Sequence, residues 1–481
     1  MLHNKSTTII SDINDFFTTS EKAINTILTI CSSLRISEKQ IGLESKSNNE
    51  YNNITKFFLI LMFPFFDVSN AWKYKNSVLF PILSCGKDVF YRLINSSSIN
   101  WRKISYKISM QLITKTSVKS IDNQENKLRC IIVDDTDMPK TGMKIELIGK
   151  VFSHVTQKSC LAFKGLFMGY HDGKSFFSID FSLHGEKGKN QKKPFGLTKK
   201  QLKDRYSKKR PQNSASQKRK KEYYQTKIFQ MIEMLKSAIN EGLRFEYVLV
   251  DSWFTCFELI KFINTRRIGC HLLGMAKMGL SKYSQNGKEL NAKQIIDNLR
   301  KTKKIKHSKM LNCYYSEVLV DFKGIEVKLF FCKTSRKGKW HLLLTTDLKL
   351  NFEKAYKIYS IRWSIEVFFK ESKQYLGLGK CQSQDFDAHI ATTTICMIQY
   401  NILSVAKRFT DYESLGELFR KTNAETIELT VAEKIWQLIN ELLNDIAEIL
   451  EIDIESLIEK LIADNEKLIK LSNYTSLLKA G

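Results

Sequence analysis

Residues 354–376 read KAYKIYSIRWSIEVFFKESKQYL, and four of them, Tyr359, Arg362, Glu366 and Lys373, carry most of what the chain discloses. The stretch has helical periodicity and holds no Gly or Pro before Gly377. At about 100° per residue, the four side chains fall at azimuths of roughly 0°, −60°, −20° and −40° from Tyr359. One continuous helix would present all four from a stripe about 60° wide. A carboxylate set between two cations and a phenol suits a metal ion held beside a phosphate. The plainer alternative is a solvated face with i,i+4 ion pairs.

The spacing, Y-x2-R-x3-E-x6-K, resembles the YREK signature of DDE transposases of the insertion sequence 4 family, bacterial enzymes that move DNA by cut and paste. The resemblance makes Glu366 the last of three metal-binding carboxylates. It also demands two aspartates upstream, each at the end of a buried strand. Both are present. Residues 129–142, RCIIVDDTDMPKTG, place Asp134, Asp135 and Thr136 after the apolar run Cys130–Val133. Residues 245–255, FEYVLVDSWFT, place Asp251 directly after Tyr247–Val250. Short β-branched runs ending in Asp deliver carboxylates to the carboxyl edge of a sheet, where α/β sites form. An Asp there also caps turns and helices without further function. In the resembled family the first catalytic Asp comes directly before Thr, which selects Asp135 and leaves Asp134 as the alternative.

At 481 residues the chain is too long for one core, and two to four domains are expected. The net charge of +26 suits a polyphosphate partner. The most apolar stretch, Phe57–Phe66, is ten residues long and contains Pro64, too short to span a bilayer. The N-terminus lacks the layout of a signal peptide. Ten cysteines without a CxxC pair, and eight scattered histidines, support neither a zinc site nor a disulfide framework. The expectation is a cytoplasmic protein, bacterial and nucleoid-associated if the resemblance holds.

The expected fold class is α/β, with a ribonuclease-H-like catalytic core carrying a β-rich insertion and flanked by helical N- and C-terminal regions. Residues 1–115 are polar with helical patches, and similar transposases place a helical DNA-end-binding region here. Tyr91, Arg92, Trp101, Arg102 and Lys103 would reach a backbone or groove, although helical packing explains them equally. The first segment of the ribonuclease-H-like core spans 116–268. It holds the Asp135 strand, a hairpin around His171-Asp172-Gly173-Lys174, a helix within 226–243, and the Asp251 strand with its following helix. Residues 269–351 read as the β-rich insertion that the resembled family carries at this place, and 352–410 as the segment that completes the core. Residues 411–481 hold 7 Lys/Arg against 15 Asp/Glu, a net of −8, and read as amphipathic helices. That tail would pair protomers, shield the DNA surface, or simply cap its own chain.

The most basic stretch, 187–227, has 16 Lys/Arg against two acidic residues, with Phe195, Tyr206, Tyr223 and Tyr224 interleaved. Such a segment would neutralise several phosphates and make binding steeply salt-dependent. The alternative is a disordered, solvated loop, above all at the PQNSAS piece.

By resemblance, Asp135, Asp251 and Glu366 would be catalytic and would hold two Mg2+ (or Mn2+) ions, roughly 3.5–4 Å apart in such sites. Tyr359, Arg362 and Lys373 would bind DNA phosphate, Arg through its fork and Lys as a point charge. In relatives that form DNA hairpins a Trp of the insertion stacks on a flipped base, the role expected of Trp340, with Trp363 a second aromatic at the signature. The implied partner is double-stranded DNA, both element terminal inverted repeats and target, bound by a homodimer. A ribonuclease-H-like nuclease that only cuts would share the carboxylates without using Trp340. An inactive DNA-binding descendant of a transposase would keep the charge without needing the motifs. A basic structural or RNA-associated protein accounts for the charge but not for the spacing.

Overall fold

The computed structural model describes residues 23–44, 51–118, 128–153, 156–265, 268–410 and 412–426. The first helices are α1 (Ala23–Ser32), α2 (Glu38–Ile41), α3 (Asn53–Met62), α4 (Lys87–Ile94) and α5 (Trp101–Val118). They lead into β1 (Cys130–Pro139), β2 (Gly149–Ser153), β3 (Lys158–His171) and β4 (Phe176–His184). The chain continues through α6 (Lys199–Lys203), α7 (Ala215–Glu222), α8 (Lys227–Asn240), β5 (Tyr247–Val250), α9 (Phe257–Thr265) and β6 (His271–Ala276). Next come β7 (Lys282–Gln285), β8 (Lys288–Asn291), α10 (Ala292–Lys301), β9 (Lys306–Ser308), β10 (Cys313–Phe322), β11 (Ile325–Lys333) and β12 (His341–Thr345). Helices α11 (Phe352–Ser360), α12 (Trp363–Tyr375) and α13 (Phe386–Arg408) follow.

The class is mixed α/β, built on one sheet ordered β2-β3-β1-β5-β6-β12-β11-β10-β7-β8, with β4 on β3 and β9 on β10. Strands β1, β5 and β6 run parallel; every other pairing is antiparallel. Cys130–Val133 and Tyr247–Val250 are buried throughout, the near-continuous apolar pattern of strands covered on both faces. The β3–β4 hairpin turns where the sequence expects it. Gly173 takes φ +94°, and the Asp172 carboxylate accepts from the amides of Lys174 (3.0 Å) and Ser175 (2.8 Å).

Residues 269–351 extend this same sheet, because β12 pairs with β6 and carries β11, β10, β7 and β8 outward. Helix α5 lies against β4 and α13, tied by buried Asn401. That amide donates to Ser109 Oγ (3.0 Å) and Ser178 O (2.8 Å), and its oxygen accepts from Ser178 N (2.8 Å). Residues Met1–Thr422 form one compact unit and Asn423–Gly481 a second. Beyond residue 426 the acidic tail lies outside the described residues. All ten cysteines are free, and among the described residues no helix is long and apolar enough to cross a membrane.

Two expectations are corrected and one open alternative is decided. Residues 354–376 do not form one helix: α11 ends at Ser360 and α12 begins at Trp363. Between them the backbone tightens to i→i−3 bonds, Ile361 to Ile358 (3.1 Å) and Arg362 to Tyr359 (3.0 Å), a 3₁₀-like turn that rotates the two halves against each other. Trp101 and Arg102 face inward. Trp101 is 3% exposed against Phe57, and Arg102 is paired with Asp180 (2.8 Å) and Glu222 (2.6 Å). The PQNSAS piece is ordered too, as a turn at Pro211–Ser214 whose Ser214 hydroxyl caps α7 by accepting from Gln217 N (3.1 Å).

Gly169 occupies the point where the β3–β4 register shifts. A Cβ there would lie 2.0 Å from Phe176 Cζ, and Phe176 packs on Phe368 of α12 with ring centroids 5.7 Å apart. Gly169→Ala is expected to cost about 1–3 kcal/mol by overpacking, read as a lower urea midpoint, and to cost less in a Phe176→Leu background.

Candidate active site

Strand β1 brings its acids past the end of its parallel neighbour. Val133 pairs with Val250, the last residue of β5, whereas β3 accompanies β1 as far as Pro139. From Asp134 onward, one edge of β1 is therefore free of a strand. Asp251 leaves β5 at the same level, and the two parallel strands present their carboxyl ends side by side.

Alternation then divides the acids, since successive side chains on a strand point to opposite faces. Asp134 and Thr136 face α12. Arg362, at its N-cap, donates to Asp134 (2.8 Å) and to Glu366 one turn on (2.5 Å), and Lys373 donates to Thr136 Oγ1 (2.6 Å). Asp135 and Asp137 face the other way: Asp135 pairs with Lys227, at the start of α8, and Asp137 with Lys164 of β3. The fold thus gathers Asp134, Arg362, Glu366, Thr136 and Lys373 on one face, with Asp135 behind them.

Asp251 is held by its own turn. Its Oδ1 accepts from the amides of Trp253 (2.9 Å) and Phe254 (3.1 Å), and its carbonyl from Thr255 Oγ1 (2.9 Å). Burial pushes the Asp134 carboxyl up to about 7, opposed by the Arg362 guanidinium and reinforced by the charge of Asp251. The Asp251 charge thus lies close enough to Asp134 to disfavour ionisation of the Asp134 carboxyl.

The other signature residues take distinct positions. Tyr359 donates to Val250 O (3.3 Å), immediately before Asp251. Its phenol is pushed up to about 12, chiefly by burial, with Arg362 opposing and Asp251 adding. Burial lowers Lys373, with Asp137 opposing. Trp363 is 61% exposed at the start of α12. Trp340 precedes β12, half-buried under Lys333 (4.8 Å from its ring centroid). Because Val250 pairs with Gly274 and Ala276 with Leu342, Trp340 lies at the same sheet edge as Asp251, two strands across.

The basic stretch divides between interior and surface. Lys208, Arg210 and Lys220 bind Glu146, Asp385 and Asp387 inside the protein, and Arg219 binds Glu222. Tyr223 is buried, whereas Tyr224 and Tyr206 are exposed and Phe195 lies between these extremes. Ten lysines of the stretch remain exposed, among them Lys192, Lys193, Lys199, Lys200, Lys209 and Lys221. In the N-terminal region Tyr91, Arg92 and Lys103 are exposed as well.

Among the described residues no three His, Cys, Asp or Glu side chains converge closely enough to hold a metal ion. The donor set is nevertheless of the chemical kind that suits one, hard carboxylate oxygens on Asp134, Asp251 and Glu366, of which Asp134 and Glu366 are already paired with Arg362. What separates Glu366 from Asp134 is the Arg362 guanidinium that bonds both.

Two neighbours of this site, Lys227 and Trp253, are not among the residues that the sequence motifs single out. The position of Lys227 directly after the Thr226 N-cap was the available signal for the first.

Residues 83–268 match the family model described as DDE superfamily endonuclease, and residues 205–415 match the model described as "Archaeal putative transposase ISC1217". Each match covers less than half of the chain, and together they run from α4 through the Glu366 helix. They support a DNA transposase or DDE nuclease. No curated protein matches the sequence. Among solved structures the chain is similar to piggyBac transposase in a cryo-EM synaptic complex with hairpin DNA, at 13% identity and TM-score 0.39, covering 89% of this chain and 81% of that one. It is also similar to the NurA nuclease from Sulfolobus solfataricus, at 9% identity and TM-score 0.23, covering 53% of this chain and 83% of that one.

Proposed function

We propose that this chain is a metal-dependent DDE transposase that cleaves DNA at the ends of a mobile element and transfers the freed 3′-OH to target DNA through a hairpin intermediate. The observation that carries the reading is the convergence of Asp134 on β1 and Glu366 on α12 upon Arg362, beside Asp251 at the end of β5. The endonuclease family match spans Asp134 and Asp251, and the transposase match spans Asp251 and Glu366. The order strand, hairpin, helix, strand, helix, then the Glu366 helix, supports a ribonuclease-H-like core.

In this reading Asp134, Asp251 and Glu366 would hold the metal, and Asp135 stands behind them, paired with Lys227. Bound Mg2+ would supply Lewis acidity at the scissile phosphate and a nucleophilic oxygen at neutral pH. Arg362 turns its fork from the carboxylates to a phosphate, and Lys373 adds a point charge beside Thr136. Tyr359 anchors the end of β5 through the Val250 carbonyl and so fixes Asp251. The exposed lysines of 187–227 take the flanking backbone, and two protomers act on the two ends.

Purified protein with DNA carrying the native flanks of its gene, in Mg2+, tests this. Double-strand release through a hairpin is expected, followed by joining to a target; Glu366→Gln or EDTA abolishes it. Cutting without joining would leave a nuclease. Binding without cutting in Mg2+ or Mn2+ would sink the enzyme reading.

A further inference from the structure

Trp253 follows Asp251 by two residues, and its amide donates to the Asp251 carboxylate, so the indole's position is tied to that of the site. Its neighbour Phe254 is buried at 1% exposure, yet Trp253 stays 44% exposed. The two rings meet at 4.8 Å and 75°, which holds the indole in place without covering it. Lys227 Nζ lies 3.9 Å from the Trp253 ring centroid while pairing with Asp135. An open indole, a cation on its face and two carboxylate-bearing strand ends thus share one corner of the sheet. The corner is on the Asp135 face of β1, away from Arg362 and Lys373, and it includes neither Trp340 nor Trp363.

Lys227, already paired with Asp135, also lies over the face of an indole that stays 44% exposed. Together they match the two chemical parts of a nucleotide. Every base has a π face that stacks on an aromatic ring, and each is followed by a phosphate within reach of a flexible ammonium. Lys227 can exchange a carboxylate oxygen for a phosphate oxygen without leaving the corner.

We propose that Trp253 is a stacking platform for a nucleobase of single-stranded DNA, with Lys227 binding the adjoining phosphate, so that one unpaired nucleotide is held on the Asp135 side of the cleavage centre. This rests on the reading that the chain handles DNA. It adds a subsite that grips the strand whether or not cleavage occurs.

The test measures binding of the full-length protein, in EDTA, to a labelled oligothymidylate and to an abasic strand of the same length and charge. Wild type prefers the base-bearing strand. Trp253→Ala weakens that strand about tenfold, the scale of one lost base stack, and leaves the abasic strand unchanged. Trp253→Phe, which keeps a ring, retains most of the preference and guards against misfolding. Lys227→Ala weakens both strands equally and lowers the salt slope by about one. A base preference undiminished in Trp253→Ala overturns the subsite while leaving the DNA reading intact. Binding of neither strand by wild type overturns both.

Discussion

Asp134→Asn is expected to lower the single-turnover DNA cleavage rate by about a thousandfold or more, whereas Asp135→Asn lowers it by about tenfold to a hundredfold. The two residues are adjacent and chemically identical; what separates them is the pleat. The face that carries Asp134 also carries Thr136 under Lys373, and Arg362 reaches from Asp134 to Glu366. The Asp135 carboxylate points to the Lys227 side, and only its backbone amide meets this group, donating to Asp134 Oδ1 (2.8 Å). On the proposed function, loss of Asp134 therefore removes a group that holds the reacting centre. Loss of Asp135 removes a partner that only orients Lys227. Gel-shift affinity for the same DNA in EDTA should change little in either variant, so the comparison isolates the chemical step. If Asp135→Asn proved the more severe, β1 would have to present its other face to the metal when DNA is bound, and the assignment drawn from the Arg362 contacts would fall.

Much of this arrangement was legible in the amino acids. Four-residue apolar runs ending in acid at Val133 and Val250 announced buried parallel strands, and the spacing from Tyr359 to Lys373 announced the residues brought to their ends. The choice between Asp134 and Asp135 was not legible. A strand buried on both faces has no polar alternation, so nothing in Cys130–Val133 tells which side the next residue takes. The turn at Ile361–Arg362 was hidden for a similar reason, because i→i−3 and i→i−4 bonding need no different residues over so short a span. Nor could a local pattern reveal that 269–351 would extend the sheet that carries Asp134 and Asp251, since the pairing of β12 with β6 joins residues some seventy positions apart.

The run Lys208-Lys209-Arg210 shows where composition misleads most, and it yields the largest expected change in stability. In sequence the three cations are equivalent contributors to a basic stretch. In the fold Arg210 has no exposed side-chain surface. It donates to both oxygens of Glu146 (2.7 and 2.6 Å), to Asp385 (3.3 Å), to Asp387 (3.2 Å) and to Ser216 Oγ (2.6 Å). Glu146 and Asp387 are themselves only 2% and 3% exposed at the side chain. Arg210→Met would keep much of the bulk but leave these carboxylates with Lys208 and Lys220 as their remaining cations. Breaking one member of a buried ionic cluster strands the others in a medium that cannot solvate them, at about 3–5 kcal/mol. The expected result is a markedly lower urea midpoint for Arg210→Met, partly restored by adding Glu146→Gln, which removes one stranded charge. Lys209→Ala, one residue earlier and exposed, should leave the midpoint within about 0.5 kcal/mol of wild type and lower the salt slope of DNA binding by about one. Two neighbouring cations would then be separated by experiment into one that holds the protein together and one that meets DNA. The converse pattern, a stable Arg210→Met with weakened DNA binding, would mean that the Glu146–Asp387 cluster opens in solution and that the whole run belongs to the DNA surface.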